Sequence, residues 1–315
     1  MQLRPLGRSG LSIAPLMLGG NVLGWNVDQA TSGAILDAFV DAGFNAVDTA
    51  DTYSRWAPGH VGGESETVIG KWLKQSGKRD KVVIATKFGE DMGEGRSVRK
   101  DYMLRACEAS LRRLQTDHID LYQTHFDDEA TPVEETMEGF AQLIKAGKVR
   151  AIGASNVSPA RLEASLAASK ELGMPRYEAL QPLYNLYARA GFETDYAPIC
   201  RREGIGVVTY YSLAAGFLTG KYRTAADTEK SATRGGRMKQ FINERGLRIL
   251  KALDDVAARH GATPAQVALA WLIAQPLVTA PIVSATSLEQ LRDILKAPSI
   301  ALSPGDLAAL DKASA

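Results

Sequence analysis

Four side chains of this sequence have the chemistry to work together on a carbonyl group. Asp48 and Tyr53 stand five residues apart in Asp48-Thr-Ala-Asp-Thr-Tyr53. Lys87 lies in Ala85-Thr-Lys-Phe-Gly89, and His125 closes Leu121-Tyr-Gln-Thr-His125. A phenol has an ordinary pKa of about 10, and an ammonium beside it favours the phenolate and lowers that value. Lys87, held charged and positioned by Asp48, would thus make Tyr53 a better proton donor. His125 would orient the carbonyl oxygen and stabilise charge as it develops. Such a set still lacks an electron pair, and a hydride cofactor is the natural supplement. Metal chemistry is not expected: His60, His118, His125 and His260 are scattered, and the two cysteines are far apart. Taken singly, each residue has a plainer use. An aspartate after a strand commonly caps a turn or helix, a tyrosine is commonly core, and a lysine is commonly a solvated charge.

The elements that must position these groups can be read from an alternation of apolar runs and helical stretches. Strands are expected at Leu16–Gly19, Ala46–Asp48, Val82–Thr86, Ile119–Gln123, Val149–Gly153, Ala179–Gln181, Val207–Tyr210 and Ala280–Val283. Most are rich in Val, Ile and Leu rather than alternating, as parallel strands covered on both faces should be. Thr131-Pro132 with Glu134, Ser158-Pro159, and Thr263-Pro264 with Gln266 read as helix starts. Residues 133–146 place Val133, Met137, Phe140, Leu143 and Ile144 on one helical face, and residues 101–115 do the same with Met103, Leu104, Cys107, Leu111 and Leu114. Before the first strand, Leu3–Leu6 and Leu11–Ala14 flank a Gly/Ser turn and read as a hairpin. Eight strand–helix units in 315 residues predict a single (β/α)8 TIM barrel domain over 1–315, with a short N-terminal β-hairpin. The alternative, a doubly wound open sheet, wants a glycine-rich phosphate loop after its first strand, and Leu18-Gly-Gly-Asn21 lacks that spacing. In a barrel the residues after each strand meet on one rim. Asp48 and Tyr53, Lys87 and His125 then fall at the ends of three consecutive strands, which single-residue uses do not explain.

Composition excludes other classes. Lys+Arg number 37 against Asp+Glu 36, so nothing points to nucleic acid or an anionic membrane. No apolar run approaches the roughly 18 residues that span a bilayer, and the first residues lack the apolar region of a signal peptide. Cytoplasmic location is the expectation, with Cys107 and Cys200 as buried free thiols.

In order and spacing, the motifs resemble the aldo-keto reductase superfamily over nearly the whole chain. Gly43–Tyr53, Gly63-Glu-Ser-Glu66 with Ile69-Gly70, Lys87-Phe-Gly, Ile119–His125, Gly147–Asn156, Gln181-Pro-Leu-Tyr-Asn185 and Tyr211–Lys221 follow one another in family order. The resemblance implies a barrel closed at its bottom by the hairpin and NAD(P)(H) bound without a Rossmann fold. By it, Tyr53 matches the general acid, Asp48 and Lys87 its tuning pair, and His125 the substrate-orienting residue. Ser155, Asn156 and Gln181 match the groups that hold the nicotinamide carboxamide, and Tyr211 the ring stacked on the nicotinamide. Ser212, Leu213, Gly216, Leu218 and Lys221 match the segment along the pyrophosphate.

The adenosine side departs from the family pattern, which often reads Ile-Pro-Gly-x-x and then a basic residue. Here Ile282-Val-Ser-Ala-Thr-Ser287 is followed by Gln290 and Asp293. Ser284, Thr286, Gln290 and Asp293 are the cofactor-side candidates, and a 2′-phosphate wants a cation that Arg292, Arg234 or Arg237 would have to supply. The family's habit favours NADP(H) over NAD(H). Trp25, Trp56 and Phe88 are candidate apolar walls for a medium-sized carbonyl or alcohol substrate, with residues 222–243 as a lid. The alternative on the same scaffold is a cofactor-sensing regulatory subunit like the potassium-channel β subunits.

Overall fold

The structure is a computed structural model that describes residues 2–230 and 235–315. Two short strands, β1 (Arg4–Pro5) and β2 (Ser12–Ile13), pair antiparallel. Eight more follow: β3 (Met17–Gly19), β4 (Ala46–Asp48), β5 (Val83–Phe88), β6 (Ile119–Thr124), β7 (Val149–Ser155), β8 (Ala179–Gln181), β9 (Gly206–Thr209) and β10 (Val278–Val283). They are parallel neighbours in chain order, and β10 pairs back to β3 to close a (β/α)8 barrel. All eight strands lie where the sequence placed them, to within one or two residues.

Strand pleating sorts side chains between two cores. Met17, Ala46, Ala85, Leu121, Ala151, Ala179, Val208 and Ala280 point inward, and Leu6 and Ile13 of the hairpin join them. Their neighbours Leu18, Val47, Ile84, Tyr122, Ile152 and Val207 face the surrounding helices. The helix over Val133–Lys145 buries Val133, Met137, Phe140 and Leu143, and that over Lys100–Leu114 buries Met103, Cys107, Leu111 and Leu114. Both faces are those the 3.6-residue pattern requires. Ser158 caps the helix at Pro159–Glu171, and Thr263 with Gln266 forms a reciprocal capping box on Pro264–Ala274.

Thr131 does not cap. Its hydroxyl donates to Asp128 Oδ2 (2.8 Å), and Pro132 takes the cap position with no side-chain bond. Both cysteines are free and buried, as expected. Among the described residues no helix is long and apolar enough to cross a membrane.

Candidate active site

β4 ends at Asp48, but its ladder to β5 runs on: Thr49 N donates to Ala85 O (2.8 Å) and Asp51 N to Lys87 O (3.1 Å). The loop therefore tracks β5 before a turn, closed by Tyr53 N on Ala50 O, brings Tyr53 back over the strand ends. This local path is why the five-residue spacing sets the phenol beside both Asp48 and Lys87.

Lys87 is fully buried. Its Nζ donates to Asp48 Oδ2 (2.7 Å), the Thr49 carbonyl (2.7 Å) and the Tyr53 hydroxyl (2.9 Å). An ammonium has three donors, and each has an acceptor here. The Tyr53 hydroxyl donates to Asp48 Oδ2 (3.2 Å), while Gln181 Nε2 donates to Asp48 Oδ1 (2.8 Å). His125 packs edge-on against Tyr53, with ring centroids 5.9 Å apart. Its Nδ1 is buried without a partner, and its Nε2 makes no hydrogen bond among the described residues. The structure thus brings Asp48, Tyr53, Lys87 and His125 together.

The electrostatics differ from the sequence expectation for Tyr53. Burial first, then the Asp48 carboxylate, pushes its pKa well above the ordinary phenol value, so the lowering effect of Lys87 does not prevail. Burial also lowers the Lys87 pKa against the opposing pull of Asp48. His125 is held well below the usual imidazole value by burial, then by Lys87 and Arg96. At neutral pH the site holds a protonated phenol beside a neutral imidazole.

Other rim residues fall at strand ends as expected. Ser155 and Gln181 are the last residues of β7 and β8, and the Ser155 hydroxyl donates to the Gln181 carbonyl (2.9 Å). Asn156 Nδ2 donates to the His125 carbonyl (2.9 Å) and to Ser155 Oγ (3.1 Å), and its Oδ1 accepts from the Tyr210 hydroxyl (3.0 Å). The Tyr211 ring is half exposed, and Asn185 Nδ2 holds its carbonyl (2.9 Å). Tyr211, Ala214 and Ala215 all have φ between 48° and 56°, and Gly216 follows at 105°. Left-handed backbone at three non-glycine residues costs energy and concentrates at ligand sites. The Ser212 hydroxyl is turned inward to Thr209 O (3.1 Å) and Leu218 is fully buried, so these two offer main chain rather than side chain. Leu213 is half-buried; Lys221 is exposed, with its Nζ 5.0 Å from the Tyr222 ring. Ser284 Oγ donates to Asn21 Oδ1 (2.5 Å), and Gln290 Oε1 accepts from the Thr286 amide and hydroxyl (both 3.0 Å). A half-exposed aromatic platform, a strained loop and amide groups beside a buried phenol fit a nicotinamide cofactor. A cavity of about 500 Å³ opens beside this rim, with Asn156, Gln181 and Tyr210 on its wall. None of the four central residues lines it.

One candidate is misplaced by the sequence reading, and a second is tied into the fold. Phe88 is fully buried, stacks on Tyr122 (4.9 Å) and meets Phe140 edge-on (5.7 Å), in the layer between barrel and helices. It is core, not pocket wall. Asp293 has partners within the fold: its Oδ1 accepts from Gln266 Nε2 (2.7 Å) and its Oδ2 from Thr263 Oγ1 (3.3 Å). By contrast Trp56 is half exposed beside Tyr53 (6.0 Å) and meets Trp25 edge-on (5.5 Å). Arg237 reaches the Tyr211 hydroxyl (3.4 Å), and Arg292 is exposed. Arg234 and residues 231–233 of the expected lid lie outside the described residues. On either side of them, Tyr222 and Met238 are fully buried.

Sequence reasoning missed the support behind the site. Glu66, fully buried, accepts from Thr86 Oγ1 (2.6 Å) and from Arg113 Nε (2.6 Å), while Ser65 meets Thr49 Oγ1 (2.8 Å) and donates to the Gly20 carbonyl (2.8 Å). The segment Gly63-Glu-Ser-Glu66 reads as a family motif, without these partners. Asp51 is also buried with Oδ1 unpartnered, and burial and then Glu66 push its carboxyl well up.

The sequence matches the profile of the Aldo/keto reductase family over residues 15–315. The chain belongs to the aldo/keto reductase family. It is 37% identical to an uncharacterized oxidoreductase, YrpG, of Bacillus subtilis, over 96% of this chain and 92% of that one. It is 31% identical to an L-glyceraldehyde 3-phosphate reductase of Escherichia coli (99% of this chain, 92% of that one). A probable voltage-gated potassium channel subunit beta of Arabidopsis thaliana is also 31% identical (94% and 91%). Membership makes the chain an oxidoreductase of a family that uses NAD(P)(H).

Proposed function

We propose that this chain interconverts aldehydes or ketones and the matching alcohols with NAD(P)(H), and that Tyr53 is the proton donor and acceptor. The observation that carries the reading is the buried Lys87 ammonium, whose three donors meet Asp48, Thr49 and Tyr53 at the carboxyl rim of the barrel. A nicotinamide cofactor, when bound, supplies or takes the hydride. The chain's own residues handle the proton and the oxygen. His125, neutral, donates to the carbonyl oxygen and fixes it beside Tyr53. The Tyr53 proton then turns from Asp48 Oδ2 to that oxygen. Lys87 keeps its bond to the phenolic oxygen throughout and stabilises the phenolate as it forms. Asp48, held from its far side by Gln181, fixes Lys87 in place. Ser155, Asn156 and Gln181 would hold the carboxamide end of the cofactor, Tyr211 would support its ring, and the Ser212–Lys221 segment would hold its pyrophosphate.

Turnover of an aldehyde panel tests this. Tyr53→Phe keeps cofactor affinity and loses kcat by about 10²–10⁴-fold; an unimpaired variant ends the mechanism. The family's use of NADPH favours NADP(H) here, with Arg237 or Arg292 as cationic partner. Titration calorimetry with both cofactors checks it, and NADH binding at least about tenfold tighter reverses the preference. The Arabidopsis relative gives weight to a second reading, a cofactor-sensing subunit on the same barrel. The complete set of Asp48, Tyr53, Lys87 and His125 favours the enzyme, and absence of turnover across the panel with intact cofactor binding favours the sensor.

A further inference from the structure

Near the Tyr53–His125 pair, Arg96 is a cation with much of its hydrogen-bonding face open. Arg96 lies over the ring of Phe126, with Cζ 4.3 Å from the centroid. Phe126 packs on His125 at 5.0 Å, and His125 on Tyr53 at 5.9 Å. The guanidinium is therefore one ring removed from the histidine. Its Nε donates to Glu90 Oε1 (3.1 Å), and its two terminal nitrogens have no hydrogen-bond partner among the described residues. The neighbouring charges are engaged at least in part, Arg55 through one terminal nitrogen only. Arg55 Nη1 donates to the Asp91 carbonyl (2.5 Å) and lies 3.8 Å from its carboxylate. Asp91 Oδ1 accepts from the amides of Gly93 (2.7 Å) and Gly95 (2.9 Å). Glu94 pairs with Arg105 (3.5 Å), which also holds Asp101. The loop is fastened across the mouth, since Met92 packs so closely on Gly62 that a Cβ there would meet Met92 Cε at 2.6 Å. Trp56 packs against Tyr53 and in turn meets Trp25 edge-on. A guanidinium fixed by ring stacking and one carboxylate, with both terminal nitrogens open, is a fork for the paired oxygens of an anion.

We propose that the substrate is a carbonyl compound bearing a carboxylate or phosphate group, and that Arg96 binds that anion while the carbonyl lies between Tyr53 and His125. The proposal rests on the carbonyl-reductase reading of the site. The test compares kcat/KM for 4-carboxybenzaldehyde and 4-formylphenyl phosphate with that for the neutral methyl 4-formylbenzoate. The native enzyme prefers at least one anion, and which one names its source. In Arg96→Ala the anion-to-ester ratio falls about tenfold, the worth of one solvent-touched charged hydrogen bond, with the loss in KM rather than kcat. Arg96→Glu lowers the ratio further, Glu90→Gln raises it, and added salt flattens all three. The ester, measured in each variant, corrects for any change in folding or in His125. An equal rate on all three aldehydes, or a ratio indifferent to Arg96→Glu, overturns the anion site alone. No turnover of any of the three with cofactor bound overturns the carbonyl-reductase reading beneath it.

Discussion

Two aspartates of the barrel, one near each end, are buried and face cations, yet they are built for different ends. Asp120, near the start of β6, takes Arg79 Nη2 (2.8 Å), Arg150 Nη1 (2.8 Å) and the amide of Ile84 (2.8 Å). Both guanidinia stay permanently charged and reach solvent, with 17% and 56% of their side chains exposed. Asp48, at the end of β4, faces a lysine with no exposure at all and a phenol that shares the same oxygen. The first arrangement ties strands together at the amino-terminal face. The second holds a cation whose proton affinity responds to its surroundings beside a second group that carries a proton. Burial makes a carboxylate–cation pair stiff; a titratable partner is what the Asp48 pair has and the Asp120 pair lacks.

Lys87→Met tests this difference most severely. It removes the cation behind Tyr53 and lowers kcat by about 10²–10⁴-fold, whereas Arg79→Met at the other end leaves kcat per folded molecule unchanged. Equal losses from both would erase the distinction. Next come the aspartates. Asp48→Asn strands a buried ammonium and costs about 3–5 kcal/mol together with activity. Asp120→Asn costs about 3 kcal/mol, the low end because its partners reach water, and spares activity. Urea unfolding with parallel turnover measures both.

A smaller effect concerns His125, whose folded pKa lies well below the usual 6.5. The unfolded chain binds the extra proton as pH falls through 6.5 and the folded chain does not, so stability declines below that pH. The imidazole stays neutral through the range where an ordinary one takes up its proton, and kcat/KM for a neutral aldehyde should show no inflection near 6.5. An inflection there that vanishes in His125→Gln would contradict the buried, neutral ring. Smallest is Arg150→Ala, which removes a half-exposed cation from Asp120 and should cost about 0.5–1 kcal/mol by urea unfolding, with no kinetic change.

The four central residues were legible because their strands were: short apolar runs of branched residues, each followed by a reactive side chain. Phe88 was legible too, and was misread. Lys87 points inward, so pleating turns its neighbour out toward the helices. Thr131 had a visible competitor in Asp128, three residues before it. Asp293 was not legible, since its partners Thr263 and Gln266 lie about thirty residues away in sequence. The raised Tyr53 pKa was also beyond reach, because burial belongs to the folded whole and not to the spacing of an acid and a phenol.

The inner wall of the barrel bears on how the chain assembles. Five of its strands present alanine there: Ala46, Ala85, Ala151, Ala179 and Ala280. Such a cylinder is too wide at its floor to fill itself, and Leu6 and Ile13 supply the missing volume. The hairpin that carries them sits against the far end of the sequence, with Arg4 Nη1 bonded to the carbonyls of Ile273 (2.9 Å) and Val278 (3.2 Å). Leu6 and Ile13 thus complete their burial only after β10 is made. Nascent chains stopped short of β10 should expose this apolar floor, and closure of the ring by its most distant contacts becomes the slow step in reaching the native state.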